Sequence, residues 1–223
     1  MRLFYSVILI AFFSFHSFNY PYEINQKSQF QNYLNFFTSK ALPLKINRKT
    51  VFGLSKTIYD SVSHAYKENK YPKLKNNFNC FIPKEIKGSD PIENIRCLFI
   101  LPSLNDITLV VIAKDFIQDN DQKILKIFLI TYDSNGVALD YMALAGYYID
   151  LEEEFCLIEK DFHITTKQYK FKESPDKNHP ELFYLNETLI NLEIDVKGTL
   201  TKNFEQKRDG YFEGDWSDYK YIK

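Results

Sequence analysis

Asp161 and His163 stand two residues apart in "KDFHITT", a separation that puts both side chains on the same side of a β-strand. A carboxylate beside an imidazole can orient it for general-base work or begin a metal site. Either chemistry needs further groups. The chain has no G-x-S-x-G, H-E-x-x-H or Cys/His zinc spacing. A hydrolase or metal-dependent enzyme using Asp161 and His163 would therefore draw its other residues from distant strands. A second polar centre, Asp133, Asn135 and Gly136 in "YDSNGV", lies between two apolar runs. Asn and Gly tolerate the positive φ of a tight hairpin, so this centre predicts a chain reversal rather than a reactive loop. "EKDF" and "VKGT" predict two more reversals.

The segment "RDGYFEGDWSDYKYIK" sets Tyr211, Phe212, Trp216 and Tyr219 among Asp209, Glu213, Asp215 and Asp218. Rings with neighbouring carboxylates can bind a glycan or a protein partner through ring faces and hydrogen bonds. The same rings can close a β domain, with a final strand turning at Asp209 and Gly210 and aromatic side chains over the sheet edge. "DLEEEF", 150–155, concentrates carboxylates without the glycine bend of a calcium loop, which predicts a solvated connection. No motif calls for a cofactor or a metal.

The elements that must position these residues change character along the chain. "MRLFYSVILIAFFSFHSFNYPYE" begins with one basic residue and an apolar run to about Phe15, the pattern of a secretory signal peptide over 1–20. The run is shorter than the roughly 20 residues of a comfortable membrane helix. The small residues of a cleavage site are not both present, which leaves an uncleaved anchor at the inner membrane as the alternative. Export to the periplasm, the outer surface or the medium is the expectation. Without an uncleaved leader, no stable membrane span is expected.

After the leader, Phe30, Tyr33, Leu34 and Phe37 fit one helical face that Pro43 ends. Val51, Leu54, Ile58, Val62 and Ala65 fit a second. Residues 71–94 read as loop, with a short strand around "NCFIP". From Ile95 onward, "IRCLFIL", "ITLVVIAKDF", "KILKIFLITY", "VALDYMALA", "FCLIEKD", "HITTKQYKF", "TLINLEIDVKG" and "TLTKNFEQKR" are strand-length runs separated by turn residues. The fold class expected is α+β. Two N-terminal helices, in a helical part of about 27–70, pack on a C-terminal antiparallel β-meander of about 95–223, all within one domain of 21–223. No strand, glycine-rich turn and helix follow one another as in a doubly wound nucleotide-binding fold.

Lys plus Arg total 28 against 29 Asp plus Glu, a net charge of −1, so the chain lacks the basic excess of a nucleic-acid binder. Cys80, Cys97 and Cys156 lie far from the leader, so none can carry a lipoprotein lipid. Cys97 and Cys156 sit in apolar runs, which favours buried thiols, and Cys80 with Cys97 is the pair to consider if a bridge forms. The leader, the helix "FQNYLNFFTSKALPL" and the strands around "FLITYDSNGVALDYMAL" and "KDFHITT" together resemble uncharacterised exported β-rich proteins of Bacteroidetes-type bacteria. The resemblance implies export and no activity. The function expected is a non-enzymatic binding or interaction module of the bacterial envelope with a protein or glycan partner. Tyr211, Phe212, Trp216 and Tyr219 are its candidate ligand residues, and the enzyme using Asp161 and His163 is the alternative.

Overall fold

The computed structural model describes residues 20–47, 50, 71–88, 94–117, 123–148, 152–175, 182–214 and 219–222. The leader, the second expected helix and Trp216 lie outside these. One largely antiparallel sheet dominates. Its strands are β1 (Thr38–Ser39), β2 (Leu44–Ile46), β3 (Ile95–Ile100), β4 (Thr108–Ile117), β5 (Lys123–Tyr132), β6 (Ala138–Tyr148), β7 (Glu152–Ile158), β8 (Ile164–Phe171), β9 (Phe183–Ile194), β10 (Leu200–Glu213) and β11 (Lys220–Tyr221). From β3 to β10 each strand pairs with the next, so every connection is local. β1 adds in parallel to β3 and β11 closes on the end of β10.

Two places depart from the expected helical part. The helix Tyr20–Leu34 stops well before Pro43, because Thr38 and Ser39 join the sheet beside Phe99 and Ile100. β2 then pairs with β7, Leu44 opposite Ile158 and Ile46 opposite Cys156. The expected strand at "NCFIP" is instead a 3₁₀ helix over Asn76–Phe81, whose three-residue turn sets Phe78 and Phe81 on one side against the core. A short helix, Lys84–Lys87, follows. The buried Lys114 ammonium donates to the carbonyls of Ile86 at 2.8 Å and Lys87 at 2.6 Å, satisfying the end of that helix.

The strand period of two gives the sheet two apolar faces, and each is covered. On the outer face of β3–β6, Val110, Ile112, Phe128, Ile130 and Tyr132 meet Phe30 and Tyr33 of the N-terminal helix and Phe78 and Phe81 of the 3₁₀ turn. Tyr33 and Tyr132 join their hydroxyls at 3.2 Å, and Tyr132 donates to the Phe81 carbonyl at 2.8 Å, so these buried phenols are not orphaned. On the inner face, Leu109, Val111, Ile127 and Leu129 of the first half meet Cys156, Ile158, Ile164, Leu192 and Ile194 of the second, with Leu44 and Ile46 of β2 among them. The sheet thus curls until its two halves cover each other. Polar contacts fasten the curl: the Thr131 hydroxyl donates to the Gly198 carbonyl at 2.6 Å, and Leu200 N–H donates to Asp140 Oδ2 at 2.8 Å.

Three hairpins share one loop design. In 133–137 and 195–199 an aspartate Oδ1 accepts two backbone N–H groups, from Asn135 and Val137 at 2.9 and 2.8 Å and from Lys197 and Thr199 at 2.8 Å each. Gly136 and Gly198 sit in the fourth position of each loop at φ 83°. In 159–163 that position holds Phe162 at φ 65°, with its ring against the inner core.

An added Cβ at Gly136 would come within 2.4 Å of the buried Phe30 ring, whereas one at Gly198 would meet the tip of the partly exposed Leu139 at 2.8 Å. Both substitutions strain a positive φ, but only the first collides with a fixed ring. Gly136→Ala is expected to lower unfolding free energy by about 2–3 kcal/mol, and Gly198→Ala by less. Urea midpoints of the two variants check this, and equal losses would remove the part given to Phe30.

Candidate functional site

Along β7 the alternation sends Cys156 and Ile158 inward and Glu153, Phe155 and Leu157 outward. Along β8 it sends Ile164 and Thr166 inward and Thr165, Lys167 and Tyr169 outward. The outward residues form a third cluster, where Phe155, Tyr169, Leu185, Phe212 and Tyr219 pack together with Phe171 and Phe183. Tyr219 is the keystone. Its ring lies 4.8 Å from Tyr169, 5.7 Å from Phe183 and 6.1 Å from Phe171, at steep edge-on angles.

Beside this cluster the outer face opens into a pocket of roughly 170 Å³. Its walls are Phe155, Leu157, Tyr169 and Tyr219, with Thr165, Lys167 and, from β2, Lys45 supplying polar groups. The cross-strand neighbours of Lys167 are Phe155 on one side and Leu189 on the other. Lys167 makes no ion pair among the described residues.

One step along the same outward face from Lys167, Glu153, Tyr169 and Glu187 align across β7, β8 and β9, and both carboxylates are buried. Tyr169 donates to Glu187 Oε1 at 3.1 Å, and the Arg208 guanidinium binds Oε2 of the same carboxylate. The Tyr219 hydroxyl reaches towards Glu153 at 3.5 Å. Arg208 also lies over the Tyr221 ring at 4.2 Å, tying the chain's last segment to the row. Buried carboxyl groups require hydrogen-bond partners, and the row supplies them.

The expected site residues fall in different places. Asp161 and His163 are exposed in the β7–β8 hairpin, where Asp161 Oδ1 accepts the backbone N–H of His163 at 3.2 Å. Asp133 serves its own hairpin in the same way, and these residues do not converge. No group of three or more His, Cys, Asp or Glu able to hold a metal occurs among the described residues. Phe212 and Tyr219 are buried in the third cluster, and Tyr211 is covered beside Tyr184 at 5.2 Å. β10 runs unbroken through Asp209 and Gly210, so the expected turn there is absent. Asp209 instead holds Lys172 and Asn186 across the sheet, each at 2.8 Å.

The acidic run is also not a solvated connection. Glu152 opens β7, and Glu153 and Glu154 are buried within it. Sequence reasoning missed Glu153, Glu187, Lys45 and Lys167. The alternation in "EEEFCLI" and "LNETLINL" was the available signal, since both glutamates occupy outward positions of otherwise apolar strands. No family model, curated protein or solved structure matches the chain.

Among the described residues, no helix is long and apolar enough to cross a membrane. All three cysteines are free. Burial pushes the Cys97 thiol up to about 12 and raises Cys156 as well, while Cys80 is exposed. Folded protein is expected to take up one iodoacetamide, at Cys80, and three after unfolding, as read by mass spectrometry.

Burial raises the Glu154 carboxyl above its ordinary 4.5, with Lys126 opposing the shift and Glu152 adding to it. The folded chain therefore holds this proton more tightly than the unfolded one. The associated stability is full below 4.5 and is lost as pH rises through the raised folded value. Glu154→Gln is expected to be more stable than the parent at pH 7 and no more stable at pH 4, by urea midpoint. A gain of equal size at both pH values would show that ionisation is not the cause.

Proposed function

We propose that the chain is an exported, non-enzymatic binding protein of the bacterial envelope, whose recognition surface is the outer face of β7 and β8 beneath Tyr219. The pocket carries this reading. It is concave, walled by aromatic and aliphatic side chains, and furnished with a few polar groups, which is the usual build of a small-ligand site. Phe155, Leu157 and Tyr169 stand on the paired strands β7 and β8, which form the floor of the cavity without a ligand. The rings of Phe212 and Tyr219 support the pocket from inside the cluster, and binding falls to the space they enclose rather than to open ring faces. Asp161 is engaged in shaping a hairpin, and that use favours a binding module over a hydrolase. Export rests on the basic and apolar pattern of 1–20 and on the resemblance to exported β-rich proteins.

Two measurements test the two parts. Full-length protein produced in a Gram-negative host is expected in the periplasmic fraction with a mass lacking about the first 20 residues. An intact mass confined to the cytoplasm would overturn export. Benzyl alcohol, a neutral one-ring probe, is expected to shift the backbone amide resonances of Lys45, Leu157, Thr165 and Lys167. Thr165→Phe, which fills the space, is expected to abolish those shifts. Shifts that survive this filling, or no shifts in the parent, would sink the pocket as the binding surface.

A further inference from the structure

The polar groups around the pocket are unequal in sign, and this bears on what it accepts. Among the described residues its ionisable lining consists of Lys45, Lys167, two tyrosines and the Cys156 thiol, whose pKa burial raises, with no carboxylate. The buried carboxylates nearby belong to a separate row, where Tyr169 and Arg208 bind Glu187 and Tyr219 reaches Glu153. They flank Tyr169 on the same outward face, diagonal to Lys167, where these donors engage them, and they do not line the cavity. Lys167 stands between Phe155 and Leu189, so no carboxylate faces it from the directly opposed positions of either adjoining strand. An ammonium group directly opposed by apolar side chains, with the diagonal carboxylates Glu153 and Glu187 engaged by Tyr219, Tyr169 and Arg208, complements a small anion with an apolar body.

Size narrows the class further. A cavity near 150 Å³ holds one benzene ring in other proteins, so roughly 170 Å³ admits a single ring or a branched alkyl group of similar bulk. A longer chain or a disaccharide would extend beyond it. Resting on the binding reading above, we infer that the pocket takes a small free carboxylic acid bearing one aromatic ring or branched alkyl group. The apolar body lies against Phe155, Tyr169 and Tyr219, and the carboxylate faces Lys167 and Lys45. The Thr165 hydroxyl is directed to Asn191 Oδ1 at 3.2 Å and plays no part in charge selection.

Three probes of one shape separate the contributions: phenylacetate, benzyl alcohol and benzylamine, titrated into the full chain and followed by backbone amide shifts. Phenylacetate is expected to bind about fivefold more tightly than benzyl alcohol, the size of effect a partly exposed ion pair supplies, and benzylamine more weakly than either. Lys167→Gln is expected to remove most of the preference for phenylacetate over benzyl alcohol. Lys45→Gln serves as the second variant and should reduce the preference in part. The preference should also shrink as salt is raised.

Equal affinity for phenylacetate and benzyl alcohol in the parent would overturn the choice of an acid and leave the pocket as a binding surface. So would a preference that survives loss of both lysines. If none of the three probes moves the amides of Lys45, Leu157, Thr165 and Lys167, the binding reading fails and takes this inference with it.

Discussion

The sheet has to curl, and the separation of β6 from β7 is what lets it. These two strands pair only at Gly146 to Tyr148 against Glu152 to Glu154. Beyond that, β7 takes β2 as its neighbour instead. A flat sheet of this length would leave one apolar face in water, whereas the curled one lays Val111, Ile127 and Leu129 against Ile158, Ile164 and Leu192. β2 is short, but it satisfies the backbone of β7 and places Leu44 and Ile46 in the same core. The contacts of Thr131 and Asp140 with the β9–β10 hairpin then fix how far the curl goes.

Local pattern made the meander legible. Apart from the acidic start of β7 and the end of β10, each strand from β3 to β10 contains its own alternation or apolar run, legible within a window of about ten residues. The loop at Asp133 shows this best, because its aspartate, its glycine and both recipient N–H groups lie within five residues. β2 was hidden for the opposite reason. Three residues, "LKI", carry no detectable period, and their partner is more than a hundred positions away. "NCFIP" failed because Phe78 and Phe81 answer to the helix and β-strands they pack on rather than to strand propensity.

The candidate site was legible only in fragments. Tyr219 stood out as part of an aromatic tail, but its place in the third cluster depends on Tyr169, Phe171 and Phe183, which arrive from other strands. Glu153 and Glu154 looked like water-facing charges because the sequence does not display their surroundings. One meets the Tyr219 hydroxyl, and the other meets Gln168, whose amide donates to it at 3.0 Å. Lys45 and Lys167 resemble any surface lysine until the pairing of β2 and β8 on either side of β7 brings them to one cavity.

The far border of β10 has an effect on the company the molecule keeps. From Thr201 to Asp209 this strand is exposed, and its backbone has no neighbour on that side among the described residues. It carries Lys202, Glu205, Lys207, Arg208 and Asp209 in close succession, with Glu205 held by Lys202 and by Lys207, the latter at 2.9 Å. A newcomer adding itself there would have to dehydrate these ions, and a second copy in register would set like charges side by side. The long open border is thereby a poor seed for ribbons and fibrils.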